Sequence, residues 1–510
     1  MLLFLLQIKY FLFQMALIIL TSIFIAILTF SLCIIYRRQE IFKIRSKIGL
    51  KGPETHWFWG NLKLVIKRIA ANGYNDSPTW HQELHREYGE TFGLYFGTEF
   101  DIIISNEEDI KEVFIKNFSN FSDRLTPQIF EMNNLNSSLL QNTYATGWKS
   151  TRTAIAPIFA AGKIKAMHET VSSKIDTFLK ILKEKSKNSE EKFDIYEDFQ
   201  RLSLDIIGKC AFAIDSNCQR DETDVFYVQA RKFVSSVDIR KSWILIASFM
   251  LPELSWIWKA LYRFTDLAAA EIPLINGLSD IYERRLAGEG YDSVDLLKLL
   301  LDRGMSKKEV TENCFAFLIA GYETSSTAMV YGAYLLAKYP DVQRKLYEEI
   351  KKMKTSDLSY ESIHQMKYLD AFYKETLRYY PPVIHFNAKV CKSDITIRNQ
   401  FYPKGCVVKA QPYTIHRLSS NWERPEEFDP NRFLFSEESS SKLRWIPFGI
   451  GPRYCIGMRF AEMEFKTTMV KLVEKFELGI REGEDRDLIP ECVGVILRPK
   501  GPVRLELKLR

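Results

Sequence analysis

The sequence predicts a mostly α-helical protein with a small β region, behind a single N-terminal transmembrane helix. Three observations predict it. Residues 10–36 hold no charged side chain. Beyond them, apolar residues recur with a helical period through most of the chain, and two-residue alternation is confined to a few short runs.

The 27 residues from Tyr10 to Tyr36 read YFLFQMALIILTSIFIAILTFSLCIIY. As a helix they extend ~40 Å, more than the ~30 Å hydrocarbon core of a bilayer. They are too long for the apolar region of a cleaved signal peptide. Arg37, Arg38, Lys43, Arg45, Lys47 and Lys51 follow, opposed only by Glu40. That bias places the bulk of the chain on the cytoplasmic side. The expected division is an anchor (1–36), a basic linker and hinge (37–60) that contains the stiff Gly52-Pro53 break, and one continuous unit (61–510).

Hydrophobic residues make 46% of the chain and charged ones 26%, which excludes a disordered or fibrous protein. A net charge of +6, from 70 basic and 64 acidic residues, is too mild for a nucleic-acid binder. The eight cysteines form no C-x-x-C pair, so free thiols are expected rather than a disulfide scaffold or thiolate zinc site.

Within the large unit, strands are expected at Thr91–Tyr95 and Phe100–Ser105, joined through Gly97. Helices are expected at Trp148–Ile155, Glu169–Lys185, Phe199–Ala213 and Ala268–Leu286. Ser242–Trp258 is apolar but too short to span a bilayer and carries Pro252. It reads either as core or as a patch dipping into the membrane surface. Short strands are expected near Ile395–Ile397 and Cys406–Ala410, and a last helix at Gly457–Phe476.

Ser306-Lys-Lys-Glu309 is a capping box that opens a long helix, which nothing stops before Pro340. Its middle reads Ala320-Gly-Tyr-Glu-Thr-Ser-Ser-Thr327. A mid-helix glycine costs about 1 kcal/mol against alanine, and an unpaired buried carboxylate costs several more. Stability alone does not explain that arrangement. The functional reading has Gly321 clearing space while Glu323 and Thr324 supply a proton path into a dry cavity. The structural reading is a kink with hydroxyls bonded back one turn.

Glu375 and Arg378 share a helix face three residues apart, before Pro381-Pro382, and Asp429-Pro-Asn-Arg432 supplies a second arginine. Each signal alone is weak. The strong one is Phe448-Gly-Ile-Gly-Pro-Arg453-Tyr-Cys455-Ile-Gly457. Here a cysteine opens a helix behind a glycine-flanked turn, and the helix dipole with Arg453 is expected to hold it as thiolate. The dinucleotide fingerprint fails because its third glycine comes too late. His81 and His85 lack the glutamate of a zinc-protease helix and read as a solvated face.

With these residues in hand, the chain resembles the cytochrome P450 family, most closely the animal microsomal clan of broad drug- and steroid-oxidising enzymes. The Cys455 loop is similar to its haem-binding signature, and Glu375–Arg378 to its helix K pair. Gly321-Tyr-Glu323-Thr324 is similar to its oxygen-activation motif, and Trp148–Arg152 to its W-x-x-x-R. The resemblance runs over about residues 50–510. It departs at Lys389, where relatives place an arginine, and in a proline-poor hinge.

The resemblance implies the cytochrome P450 fold and haem b (iron protoporphyrin IX) as cofactor, with Cys455 as the axial ligand of its iron and Phe448 shielding the sulfur. Arg124, Trp148, Arg152, Lys389 and Arg453 would hold the propionates. Glu323 and Thr324 would be catalytic, and Glu375, Arg378 and Arg432 a structural ion network behind the cysteine loop. The implied activity is insertion of one oxygen atom of O2 into a lipophilic substrate: a steroid, a fatty acid or a xenobiotic. Electrons would come from NADPH–cytochrome P450 reductase, with cytochrome b5 as a second candidate donor. Lys149, Lys442, Arg444 and Lys466 could form a basic docking face. The implied location is the endoplasmic reticulum membrane, single-pass, with the catalytic domain cytoplasmic. The alternatives are an isomerase or dehydrase of this fold that needs no reductase, and a non-catalytic membrane-anchored haem protein.

Overall fold

The computed structural model describes residues 1–510 apart from 73–76, 127, 188–193, 239–241, 290–294, 354–357, 436–442, 482 and 485. The first helix, α1 (Leu2–Phe42), passes residue 36 without a break. Its apolar window is 0% buried, as expected of a helix whose solvent is lipid. The segment behind it is packed rather than free. Gly93 N–H donates to Lys51 O at 2.8 Å, and Arg45 Nη1 donates to Pro53 O at 2.7 Å.

Ten of the helices that follow position the site: α2 (Leu62–Asn72), α3 (Trp148–Ile155), α4 (Ala161–Ser186), α5 (Ile195–Phe212), α6 (Trp243–Met250), α7 (Ser255–Leu261), α8 (Asp266–Leu286), α9 (Lys307–Lys338), α10 (Lys367–Tyr379) and α11 (Met458–Lys475). The capping box is present at Ser306 and Glu309, and Pro340 opens the next helix. Helix α9 is buried on nearly every side and packs against α5, α8, α10 and α11. Two glycines permit this. A Cβ on Gly321 would lie 2.4 Å from Ile207 Cδ1 of α5, and one on Gly332 would lie 2.8 Å from Phe465 Cζ of α11. The space cleared by Gly321 is therefore filled by Ile207.

The β region is small. Strands β1 (Thr91–Phe96), β2 (Glu99–Ile104), β3 (Ala388–Val390) and β6 (Val407–Lys409) form one sheet in the order β1-β2-β6-β3. Only the β2–β6 pair is parallel. Strands β4 (Ile395–Ile397) and β5 (Gln400–Tyr402) form a hairpin, as do β8 (Pro490–Val493) and β9 (Ile496–Pro499), while β7 (Phe476–Ile480) pairs with β10 (Leu505–Leu509). Ser242–Trp258 resolves into α6 and α7, which belong to a helix pair bent by 110° at Pro252. None of the eight cysteines is joined in a disulfide.

Candidate functional site

The cysteine loop is built by its glycines. Gly449 and Gly451 have φ of +78° and +67°, and a Cβ on Gly451 would lie 2.1 Å from Phe114 O. Only glycine fits there. The loop closes when Cys455 N–H donates to Phe448 O at 2.8 Å. Cys455 then opens into a cavity of about 370 Å³, lined by Phe448, Trp148 and the Ala320–Thr324 turn of α9. One expectation is corrected here. Burial raises the thiol above its ordinary value, outweighing the Gly457 backbone contact and the charges of Arg124 and Arg152. Arg453 does not act on it. Instead its guanidinium lies 4.4 Å over the Trp148 ring and donates to Asn142 O at 2.7 Å.

Arg124 and Arg453 line the cavity, and the buried Lys389 adds a third cation close to both. Burial, and then Arg453, pushes the Arg124 guanidinium down to about 9. Burial pushes Arg453 down to about 10. Lys389, on β3 and 3% exposed, is driven well below the lysine range by burial and then by Arg124 and Arg453. Arg124 Nε and Arg453 Nε and Nη1 are buried with no hydrogen-bond partner among the described residues. Arg152 stacks on the Tyr454 ring at 4.7 Å. Buried like charges with orphaned donors are costly unless an anion meets them. The rim is thus built for a molecule that brings negative charge to the edge of an apolar cavity.

On α9, Thr324 lines the cavity and its hydroxyl donates to Ala320 O at 2.6 Å, the back-bond expected of a mid-helix threonine. Glu323 does not line it. The carboxylate is 0% exposed and accepts from Tyr196 Oη at 2.7 Å and Gln200 Nε2 at 2.9 Å, both on α5. Arg498 of β9 lies 3.6 Å away. Sequence reasoning missed these three partners, which carry no motif.

Glu375 and Arg378 are both 0% exposed and joined by a two-pronged bond of 2.7 and 2.8 Å. Arg432 Nε reaches Glu375 at 3.0 Å, and Asp429 N–H reaches it at 2.9 Å. His416, also missed, ties this cluster to the cysteine loop. Its Nε2 accepts from Ile446 N–H at 2.9 Å, its Nδ1 faces Arg378 O at 3.3 Å, and its carbonyl accepts from Arg378 Nη1 at 2.9 Å. Burial first, then Arg378 and Arg417, holds the imidazole well below its ordinary value. It is neutral, with its proton on Nδ1, because Nε2 is an acceptor.

Two further readings are corrected. His81 is buried, its ring 5.4 Å from that of His385, and not part of a solvated face. Lys466 cannot belong to a docking face: it is buried, bonding Asp370 at 2.8 Å and Glu462 at 2.6 Å. Arg444 pairs with Glu107 at 3.3 Å, Lys149 is exposed, and Lys442 lies outside the described residues. A second cavity, of about 440 Å³, adjoins the first and shares Arg124, Leu140, Phe386 and Val495 with it.

A helical protein with a cysteine thiol and buried guanidinium donors on one apolar cavity has a site suited to a cofactor that takes a sulfur ligand and carries negative charge at one edge. The family model for cytochrome P450 matches residues 50–507. The chain is 30% identical over 485 residues to cytochrome P450 3A27 of Oncorhynchus mykiss, covering 91% of this chain and 90% of that one. It is 30% identical to cytochrome P450 3A12 of Canis lupus familiaris, covering 92% of each. It is 29% identical to cytochrome P450 3A11 of Mus musculus, covering 94% and 95%. The chain belongs to the cytochrome P450 family and is a monooxygenase, an oxidoreductase that binds haem b. Its residues fit that group: the orphaned donors of Arg124 and Arg453 are free to meet its carboxylates, and the Cys455 thiol opens into the same cavity.

Proposed function

We propose that the protein is an anchored monooxygenase of the endoplasmic reticulum, single-pass, with its catalytic unit in the cytoplasm. On this reading it oxidises lipophilic substrates with electrons from NADPH–cytochrome P450 reductase, with cytochrome b5 as a second donor. The division into an anchor (1–36), a linker (37–60) and a catalytic unit (61–510) goes with it. One observation carries the reading: Cys455 and Thr324 open into the same cavity, whose other walls include Leu139, Ile158, Phe317 and Val383. Such walls favour a steroid, a fatty acid or an apolar xenobiotic.

Haem, when bound, supplies the activation of O2 and the transfer of one oxygen atom to substrate. The chain's residues do the rest. Cys455 would hold the iron through its sulfur, as a thiolate, because a bound cation offsets the burial that otherwise favours the thiol. Phe448 covers the sulfur. Arg124, Trp148, Arg152, Lys389 and Arg453 fix the cofactor edge by charge-assisted hydrogen bonds. Thr324 holds a proton at Oγ1 on the cavity side. Glu323 acts through the α5 side chains that hold it. Glu375, Arg378 and Arg432 keep the cysteine loop in register.

The test is a screen of lipid extracts for compounds that shift the haem spectrum, followed by turnover with and without reductase. Product that appears only when NADPH and reductase are both supplied supports the reading. Reductase-independent product supports the isomerase alternative.

A further inference from the structure

Arg38, near the end of α1, is 0% exposed. Its Nε and Nη2 donate to the two carboxylate oxygens of Glu253 at 2.8 Å each. Nη1 donates to Phe58 O and Nη2 to Met250 O, both at 2.7 Å. The guanidinium lies 4.2 Å over the Phe58 ring. A surface ion pair near a membrane needs none of this. Four of the fork's five N–H donors meet four fixed acceptor atoms, which makes a mechanical joint.

The joint leads to a cavity. Glu253 sits in the turn at Pro252 between α6 and α7, and Met250 ends α6. The preceding residue, Phe249, packs against Phe96 at 5.7 Å and lines the second cavity. The lid is close-fitting, since a Cβ on Gly97 would lie 2.5 Å from Phe249 O. The same helix pair leaves Trp243, Trp256 and Phe264 exposed at 66%, 70% and 66%. Large apolar side chains bared beside an anchor helix mark a face that meets an apolar phase.

We infer that Arg38 pins the membrane anchor to the lid of the second cavity, so that α1 and α6 move as one body, with Trp243, Trp256 and Phe264 seated in the bilayer that α1 enters. Arg38 is a positioning residue: it touches neither substrate nor cofactor. Lid opening is then biased by the membrane through the anchor. The inference rests on the proposed reading of α1 as anchor and of the cavities as taking lipophilic molecules.

The test uses the full-length holoenzyme in phosphatidylcholine vesicles and compares wild type with Arg38→Ala, Arg38→Lys and Glu253→Gln. Hydrogen exchange of residues 243–264 reads the lid. The association rate of an alkylimidazole, followed by its haem spectrum, reads entry. Quenching of tryptophan by brominated lipid reads seating. The pin predicts at least tenfold faster exchange at α6 and at least a threefold change in association rate in Arg38→Ala, with an unchanged carbon monoxide spectrum. Arg38→Lys and Glu253→Gln should be intermediate. Wild-type exchange and association rates in both of these would overturn the pin, even if Arg38→Ala yields no haem protein. Quenching no greater in wild type than in a Trp243→Ala/Trp256→Ala variant would overturn the seating. If wild type itself neither binds vesicles nor gives an alkylimidazole spectrum, the anchor and substrate reading fails, and the inference with it.

Discussion

Lys389 concentrates the residue-scale argument. It is a buried ammonium, a point charge set close to the two guanidinium forks of Arg124 and Arg453. Lys389→Arg should retain haem as well or better during dilution, while Lys389→Ala should lose it several-fold faster. Equal loss rates in all three would remove Lys389 from the rim. Thr324 is read in a different currency. Thr324→Ala keeps the helix, as alanine is the better helix former, but removes the hydroxyl. NADPH consumption should continue while product per NADPH falls about tenfold, equivalent to ~1.4 kcal/mol of transition-state preference. Coupling that holds with a well-fitting substrate would remove Thr324 from proton delivery. Thr324 stands in a local pattern that the sequence displays, whereas Lys389 was singled out only through the family resemblance. His416 was not legible: its three bonds run to elements that only folding brings together. The partners of Glu323 were hidden for the same reason, since Tyr196 lies 127 residues away. The upward push of burial on the Cys455 thiol was not legible because the sequence shows the helix start but not the depth of the pocket.

At the scale of elements, α9 and its neighbours set the energetics. Gly321→Ala should destabilise by about 1–3 kcal/mol through overpacking against α5. Ile207→Val, which removes the Cδ1 methyl, should recover much of that, and thermal unfolding of the four-member cycle measures the coupling. Glu464 of α11 makes stability pH-dependent. Burial raises its carboxyl to about 7, while Ser203 Oγ donates to it at 2.6 Å and its Oε2 has no partner among the described residues. A carboxyl that holds its proton more tightly when folded favours folding at low pH. Stability should therefore fall as pH rises from about 4.5 through about 7, by roughly 3 kcal/mol in total. Glu464→Gln should flatten that slope and be the more stable form above neutral pH, as denaturant titrations at pH 5, 6, 7 and 8 would show. The long helix and its ends were legible from the capping box and Pro340, because caps are local chemistry. That Gly321 serves Ile207 was not, since the sequence gives no hint of which helix crosses there.

At the scale of the molecule, the anchor and the catalytic body answer to different solvents. Removing residues 1–36 should free most of the protein from membranes while leaving haem bound, because none of those residues lines the haem cavity. Flotation assays should show a residual membrane-bound fraction from Trp243, Trp256 and Phe264. A truncated chain that never takes up haem would show the two parts to be one folding unit. The small β region was partly legible: β1, β2, β4 and β6 were expected from the sequence, whereas β3 is a three-residue strand defined by its pairing with β6.

The anchor helix has a consequence of its own. Its charge-free stretch of ~40 Å exceeds a ~30 Å hydrocarbon layer, so the helix must lean or the lipid around it must thicken. A free tether would absorb that mismatch in its linker. Here Arg38 leaves no slack, and the lean of the rod becomes the lean of the body. Membranes of different thickness would then present the mouth of the second cavity to the lipid at different angles. Acyl-chain length would act as a dial on substrate entry, with Arg38 as its spindle.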